Sequence, residues 1–530
     1  MMNVKDIVSR FEYIEGQRDN WNNHYQELAD YMLPRKADVV KKRSRGEKRM
    51  ELIFDGTALQ AVDLLSSSLH GMLTSGATPW FHLTMKDEEL GRDEEVQRWL
   101  EDSSQRMMRA FTMSNFETEV HEMYVDLVVF GTGCMFVEMD EKTLRFSTRH
   151  ISEFYVTEDQ YGIVDTVFRK YELPARQAVQ RFGIDNVGNF IARTFEKKPD
   201  ENVEILHVVM PRKDRDPTKQ DNKNMPFASM YICLETKMIL AESGFQELPY
   251  VVPRFLKATG EVMGRSPAMV ALPDVKMINL MSKTIIQAAQ KMIDPPLLVP
   301  DDGFLLPIRT QPGGLNFYRS GSRDTITPLQ TGANIPIGLN MEEQRRTAIR
   351  SAFFVDQLLS GSTPNMTATE VMQRQEERMR VIGPVLGRLM NEMLRPLIDR
   401  AFALMLRADM LSIPPEILQG RDIDIEYVSP LARAQKSSSV NGVMRALEIL
   451  MPLAQSLPVG DHIDPDGLVN YLTEALGVPK KVLRPQSDID EEREQRAIMQ
   501  EEQMQRQMEQ EDVATVGQAA QAVRMVGANE

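Results

Sequence analysis

The sequence predicts an α+β fold that is predominantly helical. Apolar residues recur at three- and four-residue spacing through most of the 530-residue chain, which is the pattern of amphipathic helices. Short strand-like segments, rich in β-branched and aromatic residues, are concentrated between residues 129 and 235. Two long helical patterns flank a stretch rich in proline and glycine, residues 294–338. These patterns indicate an antiparallel sheet among helices, and a helical pair interrupted by a separate module.

Bulk composition indicates a folded, soluble chain. Apolar residues make up 42% and charged residues 26%, and two cysteines are too few for a disulfide framework or a four-ligand zinc site. The N-terminus carries charges where a signal peptide needs an apolar core, and no apolar run reaches the roughly 18 residues of a transmembrane helix. We therefore expect neither secretion by the usual route nor a membrane span. The net charge of −15 argues against wrapping nucleic acid over the whole surface.

The first 265 residues are predicted to combine helices with short strands. Helical spacing runs from Ile7 to Met32, before Pro34, and recurs around Leu59–Leu69 and over residues 95–130. The strand-like segments are residues 80–85, 129–140, 144–159, 164–173, 204–210 and 228–235. The later strands favour an antiparallel sheet beside short helices.

A basic run follows the first helical segment. It consists of Arg35, Lys36, Lys41, Lys42, Arg43, Arg45, Lys48 and Arg49. The run is either a docking patch for nucleic acid or a partner protein, or a solvated and mobile loop. Aromatic residues do not interleave the charges, and this favours the loop.

The middle of the chain predicts two helices around a distinct module. Ser266-Pro267 is a helix start with proline at the first helical position, and an apolar stripe continues to residue 293. Residues 294–338 contain seven prolines and six glycines, which interrupt regular structure. Asn340 and Glu343 form a capping box that predicts a second helix to about residue 359. The economical geometry is an antiparallel helical pair that holds the module at one end.

The stretch SGSTPNMTATEV, residues 360–371, predicts a loop and a helix restart. Gly361 permits unusual backbone angles, and Pro364 prevents the preceding helix from continuing. Thr367 and Glu370 form a capping box for a helix that runs from about residue 368 to 409, with a kink at Gly383-Pro384. The half after the kink has a core-facing stripe of Val385, Leu389, Met393, Leu397, Ala401 and Leu404.

The C-terminal part is predicted to contain one strand and several helices. The strand covers residues 422–428, and the helices cover about 436–457 and 465–476. The segment after residue 487 is strongly acidic and is either a solvated helix or a partly disordered tail, with an oligomeric bundle as the alternative.

No catalytic constellation is visible in the sequence. There is no H-E-x-x-H motif and no phosphate-binding G-x-x-x-x-G-K-[ST] motif. Residues 461–467 resemble a calcium loop only in part, and a helix N-terminus is the better interpretation. Gly131-Thr132-Gly133 lacks the third glycine of a dinucleotide fingerprint and predicts a tight turn before a strand. We predict no catalytic residue, no metal site and no cofactor, and therefore no enzyme.

Several segments carry a resemblance to a known family. They are FDGTALQAVDLLSSSLHGMLTSGATPWFHL after Trp21 and Tyr31-Met32-Leu33-Pro34, then VVFGTGCMFVE, SPAMVALPDVKMINLM and NMTATEV, in this order. The chain resembles the head-to-tail connector, or portal, proteins of short-tailed bacteriophages over almost its whole length. The resemblance implies a portal fold assembled as a ring, usually of twelve copies, at one capsid vertex.

The resemblance also implies a division of the chain into named parts. Residues 1–265 would form a wing, and the strand within 411–435 would return to it. Residues 266–293 and 339–359 would be stem helices around a clip, residues 294–338. A tunnel loop, a kinked tunnel helix, crown helices and an acidic helix or tail would follow, at residues 360–367, 368–410, 436–486 and 487–530.

The implied role is a structural channel for packaging and ejecting DNA, located in the virion after assembly in the host cytoplasm. The implied partners are the major capsid and scaffolding proteins, the terminase packaging motor, a tail adaptor, and double-stranded DNA that passes without sequence recognition. The tunnel loop would consist of Ser360, Gly361, Ser362, Thr363, Pro364, Asn365 and Met366. Candidate DNA-facing cations are Arg374, Arg378 and Arg380, for which pairing with neighbouring glutamates is an equal alternative.

Two other functional classes stay open from the sequence alone. Acidic residues are plentiful, so a metal-dependent nuclease acting on phage DNA is an alternative, although no spaced acidic cluster supports it. A helical scaffold or adaptor protein that binds partners through its acidic tail is the other. The oligomeric state in solution distinguishes both from a ring.

Overall fold

The structure is a computed structural model of the chain, and it is mixed α+β and mainly helical, which confirms the predicted fold class. The chain divides into two compact units, one of residues 1–82, 103–412 and 425–427 and one of residues 83–102, 413–424 and 428–530. The described residues are 3–42, 44, 46–76, 78–85, 87, 90, 93–141, 143–219, 221–299, 307–309, 317, 327–329, 335–359, 382–418, 423–427, 440, 442–450, 464–476, 484, 488–489, 491–500 and 503–504.

Helices dominate the first half of the chain and the hairpin that follows it. In chain order they are α1 (Val4–Gln17), α2 (Asp19–Met32), α3 (Thr57–Leu73), α4 (Glu94–Met113), α5 (Phe116–Phe130), α6 (Ala175–Phe182), α7 (Gly188–Lys197), α8 (Pro267–Ile293), α9 (Ile335–Ala352) and α10 (Val355–Leu359). Short 3₁₀ turns cover Pro34–Lys36 and Glu416–Leu418. Within the described residues, no helix combines the length and apolar character needed to cross a bilayer.

The strands form one large antiparallel sheet and three small ones. They are β1 (Phe81–Met85), β2 (Met135–Asp140), β3 (Thr143–Thr148), β4 (Phe154–Glu158), β5 (Val164–Pro174), β6 (Asn202–Pro211), β7 (Phe227–Cys233), β8 (Met238–Phe245), β9 (Tyr250–Val251), β10 (Leu297–Leu298), β11 (Thr327–Pro328) and β12 (Ile423–Tyr427). The large sheet has the order β4-β5-β6-β7-β8; the others are β3-β2-β9, β1-β12 and β10-β11. The predicted antiparallel sheet is confirmed, whereas β8, β9 and β11 were missed.

Alternation along β6 explains why this sheet is covered on both faces. Leu206 and Val208 face one side and pack with Phe11 of α1 in one buried cluster. Val203 and Ile205 face the other side and pack in a second buried cluster with α6 and α7. Successive strand residues point to opposite faces, so a strand with apolar residues at both sets of positions must be covered twice.

The N-terminal helical segment is broken, which the spacing did not predict. Arg18 separates α1 from α2, and its buried guanidinium donates hydrogen bonds to the carbonyl oxygens of Phe154 and Ile151. Before this break, Ile7, Val8 and Phe11 of α1 pack against the large sheet. The apolar spacing is similar before and after the break, so periodicity alone does not reveal it.

The strand predicted from residue 129 begins later. Val129 and Phe130 end α5, and Gly131 at φ 79° closes that helix in the left-handed region. Strand β2 then starts at Met135. The chain bends at Gly131, but the predicted tight turn does not extend over the next two residues: Thr132 forms an antiparallel bridge with Arg254, and the Gly133 N–H donates to the Pro253 carbonyl oxygen at 3.0 Å. The error in the strand came from the continuous apolar run, which suits a buried helix and a strand equally well.

The second long helix differs from its prediction at both ends. It begins at Ile335, five residues before the predicted cap, because Pro336 occupies an early position where a missing N–H costs little. It ends at Ala352, and the left-handed Phe354, at φ 58°, separates it from α10. The predicted capping box at Asn340 is therefore inside the helix.

The helix that ends near residue 409 contains a turn that was not predicted. Residues 382–389 form α11, Met390–Leu394 form a π-helical turn, and α12 covers Arg395–Arg407. Gly383 and Pro384 lie in the first described turn of α11, and the residues before 382 are outside the described part. The predicted apolar stripe is buried at Val385, Leu389, Met393, Leu397 and Ala401, while Leu404 is half-buried.

In the C-terminal part, the predicted strand corresponds to β12 and the predicted helix over 465–476 to α14 (Pro465–Leu476). Residues 442–450 and 491–500 are also helical, as α13 and α15. The Asp464 side chain accepts a hydrogen bond from the Asp466 backbone N–H at 3.0 Å, as a helix N-cap does. This confirms that residues 461–467 contain a helix start.

Candidate functional site

The most distinctive element of the described chain is the antiparallel hairpin of α8 and α9. Asp274 near the start of α8 pairs with Arg345 late in α9, at 2.9 Å, and Ser282 donates to Glu342 at 2.6 Å. Residue numbers rise along one helix as they fall along the other, so the pair is antiparallel, as predicted. At 27 residues, α8 is about 40 Å long at 1.5 Å per residue.

The hairpin ends in a short strand pair rather than a tight turn. Leu297 lies opposite Pro328 and Leu298 opposite Thr327 in antiparallel register. Strand β10 follows the end of α8 by four residues and β11 precedes the start of α9, so the intervening chain leaves the hairpin and returns to it at this strand pair. Most of residues 300–334 are outside the described part, and the module itself is therefore known only by its point of attachment.

The near end of the hairpin is capped and docked by one side chain. Ser266, buried at the N-cap of α8, accepts a hydrogen bond from the Met269 backbone N–H at 3.1 Å. Its hydroxyl donates to the Val129 carbonyl oxygen at 2.8 Å, at the end of α5. Pro267 follows at the first helical position, as the sequence predicted. A single serine thus starts α8 and joins it to the helical core.

Two glycines permit the backbone to approach closely beside this cap. The Gly264 N–H donates to the Thr132 hydroxyl at 2.8 Å, and the Gly264 and Gly131 backbones are in direct contact. A Cβ atom built on Gly264 would lie 2.1 Å from the Gly131 carbonyl oxygen. Only glycine fits at this crossing, because backbone atoms cannot move aside as a flexible side chain can.

A polar cluster holds the segment before α3 against the hairpin. The Asn279 side-chain oxygen accepts from the backbone N–H groups of Phe54 and Asp55, at 2.6 and 3.0 Å. Arg346 of α9 pairs with Asp55 at 3.0 Å and with Glu342 at 3.2 Å. Burial alone would raise the pKa of Asp55, but hydrogen bonds from Thr57 and Arg346 outweigh it, and the pKa lies below its ordinary value. The carboxylate is therefore charged and paired at neutral pH.

A buried ion cluster joins the approach to α8 with the π-helical turn. Arg254, whose side chain is 2% exposed, donates to Glu392 from Nε at 2.9 Å and from Nη2 at 2.8 Å. It also contacts Glu158, and donates to the Gly162 carbonyl oxygen at 3.1 Å. Burial alone would lower the pKa of Arg254, but Glu392 and Glu158 raise it overall. The sequence offered no signal for this cluster, since its members are 96 and 138 residues away from Arg254.

Comparison with known proteins places this architecture in a family. The model of the bacteriophage head to tail connecting protein family matches residues 4–483. The chain belongs to that family. This connecting protein is similar to a probable portal protein of Bordetella phage BPP-1, with 33% identity over 509 residues, 94% of this chain and 92% of the relative.

Two further relatives of the connecting protein agree. A portal protein of Salmonella phage epsilon15 is 33% identical over 504 residues, covering 93% of this chain and 90% of the relative. A portal protein of Enterobacteria phage T3 is 21% identical over 303 residues, covering 55% and 53%. A chain in the solved neck of an empty GTA particle, computed with C6 symmetry, aligns at 9% identity with a TM-score of 0.36, over 85% of this chain and 99% of that one, a likeness too slight to assign a fold.

The predicted channel residues lie outside the described part of the connecting protein. This applies to the loop Ser360–Met366, to the restart cap Thr367 and Glu370, and to Arg374, Arg378 and Arg380. Their roles stay predictions. The structure does place the ends of this segment: α10 ends at Leu359, directly after the base of the hairpin, and α11 leads into the π-helical turn held by Arg254.

The basic run of the connecting protein is more anchored than a mobile loop would be. Lys36 pairs with the buried Asp126 at 2.7 Å and with Glu122 at 2.9 Å, and Arg35 pairs with Glu122 at 2.6 Å. Lys42 pairs with Glu172, and Arg49 pairs with Asp38 at 2.6 Å. Arg43 and Arg45 are outside the described residues. The prediction of a solvated, mobile loop is therefore wrong for Arg35 and Lys36, which acidic side chains of α5 hold, whereas Lys42 is 81% exposed and solvated as predicted.

Reactive groups are scarce in the described part of the connecting protein. Cys134 and Cys233 are free thiols with no exposed surface, and burial raises the pKa of Cys134 to about 12. A thiol with such a pKa stays protonated at neutral pH and is a poor nucleophile. Among the described residues, no group of three or more His, Cys, Asp or Glu side chains is arranged to hold a metal ion. The geometry here builds a scaffold and anchors a hairpin.

Proposed function

We propose that this chain is a portal protein: copies of it assemble into a ring at one vertex of a phage capsid, and double-stranded DNA is packaged and ejected through the ring. The observation that carries the proposal is the match to connecting proteins over residues 4–483, with portal proteins of two phages related over more than nine-tenths of the chain. The expected ring has twelve copies.

The anchored hairpin supports an assignment of parts. We assign α8 and α9 to the stem, the module attached through β10 and β11 to the clip, and residues 360–367 to a loop at the channel. The helical core and large sheet before residue 265 form the wing, the helices from about residue 436 form the crown, and residues 487–530 form an acidic helix or tail. The Ser266 cap, the close approach of Gly264, and the ion pair of Arg346 with Asp55 fix the base of the hairpin. The module at the far end is therefore held at a defined distance from the wing.

The net charge of the chain supports the passage of DNA through the ring without tight binding. Each copy carries a net charge of −15, so a ring of copies repels a polyanion overall. Arg374, Arg378 and Arg380 would supply weak phosphate contacts that do not depend on base sequence. In this proposal the ring performs no chemistry, and a separate terminase motor supplies the energy of packaging. The clip binds that motor and the tail adaptor, and the outer surface meets the capsid and scaffolding proteins in the virion.

Electron microscopy of the purified full-length chain tests the assembly. We expect rings with a central hole and, by mass photometry, a mass twelve times that of the 60.4 kDa chain. A monomer or dimer that cleaves DNA in the presence of magnesium would overturn the proposal in favour of a nuclease. No observation on the described residues favours that alternative.

Deletion of residues 361–365 tests the channel assignment separately. We expect rings to form normally while DNA packaging or retention falls in an assembly assay with capsid and terminase. A deletion of equal length in the acidic tail, residues 505–509, is the matched control and should leave packaging nearly unchanged. If the loop deletion unfolds the chain, residues 361–365 are a structural turn and the channel assignment is wrong.

A further inference from the structure

Helix α8 carries two apolar stripes, of which the hairpin uses one. The predicted stripe includes Ile278, which is buried, and Ile285, whose side chain lies beside Gly338 of α9. The second stripe consists of Val270, Met277 and Leu280, whose exposed fractions are 73%, 47% and 66%. Their spacing of seven and three residues puts them on one flank of the helix, over about three turns. This flank has the pattern of a helix-packing seam and is bare in the single chain.

A second apolar surface lies on another flank of the same helix. Residues Met50, Leu52 and Phe54 are 58%, 47% and 41% exposed. Their segment is fixed to α8, because Asn279 holds the Phe54 backbone and the Lys283 ammonium lies 5.6 Å from the Phe54 ring centroid. At 100° per residue, Asn279 and Lys283 are roughly a third of a turn away from the bare stripe. The backbone is thus anchored while these apolar side chains stay exposed.

We propose that these two surfaces bind each other between neighbouring copies: Val270, Met277 and Leu280 of one copy pack against Met50, Leu52 and Phe54 of the next. The proposal rests on the proposed ring. A ring is closed by heterologous contacts, in which each copy uses two different surfaces on two different sides. The hairpin carries two such surfaces, and both are attached to helix α8. Because this helix is rigid, every copy presents the two surfaces in the same relative position. The same rotation between neighbouring copies can therefore be repeated around the ring.

The chemistry of the two surfaces fits this occupant. Both centres are apolar, and Lys276 borders the stripe while the Lys283 ammonium borders the Phe54 ring, which gives the apolar centre and charged rim typical of protein interfaces. Monomeric proteins rarely leave contiguous apolar patches above a few hundred Å² without a partner. The polar cluster at Asn279 has a second role in this contact, because it fixes the surface of Met50, Leu52 and Phe54 at a set distance from the stripe on α8.

Paired cysteines test the contact directly. We expect the double variant Leu52→Cys with Leu280→Cys, treated with a short bismaleimide, to give a ladder of covalent multimers on a denaturing gel. Each single variant should give none beyond dimers. Background is low because Cys134 and Cys233 are fully buried. Crosslinks confined to single chains, as would occur if another segment of the same chain covers the stripe, would overturn the proposal.

Charge substitutions test whether the contact is needed. We expect Leu280→Asp to abolish rings while the circular dichroism spectrum stays that of the wild type, since the side chain is largely exposed. Adding Leu52→Lys should restore rings at low salt. Ile184→Asp, at a side chain 48% exposed and far from α8 in sequence, is the matched control and should leave rings intact.

The outcomes separate the two proposals. A wild-type chain that forms no ring overturns the proposed function and the contact together. Wild-type rings that persist in Leu280→Asp overturn the contact alone and leave the proposed function standing.

Discussion

Arg254 and Glu392 form a two-pronged ion pair inside the protein, with Nε–Oε2 at 2.9 Å and Nη2–Oε1 at 2.8 Å. Arg254 lies in the segment between β9 and α8, and Glu392 lies in the π-helical turn before α12. An extra residue in a helical turn is unfavourable by itself and is often found at functional positions. Here the carboxylate of that turn satisfies a guanidinium that is otherwise shielded from water, so the turn is stabilised by its partner.

Removal of the Glu392 carboxylate should therefore be costly. We expect Glu392→Ala to lower the free energy of unfolding by about 3 kcal/mol, since breaking a buried pair leaves a charge without compensation. The value is at the low end of the range because Glu158 and the Gly162 carbonyl still bind Arg254. Urea unfolding followed by circular dichroism measures it. Glu261→Ala, which removes an exposed pair with Arg265, is the control and should lower the free energy of unfolding by less than about 1 kcal/mol. If both variants lose the same free energy of unfolding, burial does not strengthen the pair of Arg254 with Glu392.

The pair of Lys36 and Asp126 predicts a pH-dependent loss of stability. Burial raises the pKa of Asp126 above its ordinary value, and Lys36 opposes that rise. A raised carboxyl pKa means that the folded state binds the proton more tightly than the unfolded state does. Ionisation of Asp126 therefore lowers the free energy of unfolding as the pH rises. Without Lys36 this loss is larger. We expect Lys36→Met to destabilise the protein most near pH 7 and progressively less toward pH 4.5, as Asp126 becomes protonated.

Urea midpoints of the wild type and Lys36→Met across this pH range measure the difference. Lys42→Met provides the control, because the Lys42 side chain is 81% exposed and the loss of its pair with Glu172 should have a small effect at every pH. A difference for Lys36→Met that stays constant with pH would contradict the role assigned to Asp126.

Glycine substitutions should have opposite effects at two positions. Gly264→Ala would place a Cβ 2.1 Å from a backbone oxygen, so we expect a loss of several kcal/mol or no folded protein. Gly16→Ala, inside α1 with no atom within 4 Å of the new Cβ, should stabilise the chain by about 0.5–1 kcal/mol. Thermal unfolding of both variants tests the pair. A neutral Gly264→Ala would mean that the two backbones separate without cost.

The Ser266 cap should be worth more than an exposed hydroxyl. We expect Ser266→Ala to cost about 1–2 kcal/mol, because α8 loses its N-cap and the buried Val129 carbonyl loses a donor. Thr284→Ala, which removes an exposed hydroxyl from the same helix, should be within about 0.5 kcal/mol of the wild type. In Ser266→Ala, amide hydrogen exchange should become faster in the first turn of α8. Protection of that turn equal to that in the wild type would contradict the role of the cap.

Local signals accounted for much of the fold. Ser266-Pro267 and Asp294-Pro295 bound α8 as predicted, because a cap and a proline act on their own backbone neighbours. Two features that were not predicted have a common cause. The break at Arg18 and the π-helical turn each involve a buried polar contact with residues far along the chain, which apolar spacing does not express.

The sequence by itself determined the helical pair around a proline- and glycine-rich module, the strands β5, β6 and β7 of the large sheet, and the resemblance to connecting proteins. Periodicity, capping and residue order are properties of neighbours along the chain. Only the tertiary structure decided that Asn279 holds the segment at Phe54, that Arg254 holds Glu392, and that one flank of α8 is left bare. These pairings join residues far apart in sequence, and burial, charge and shape choose among many possible partners only after the chain has folded.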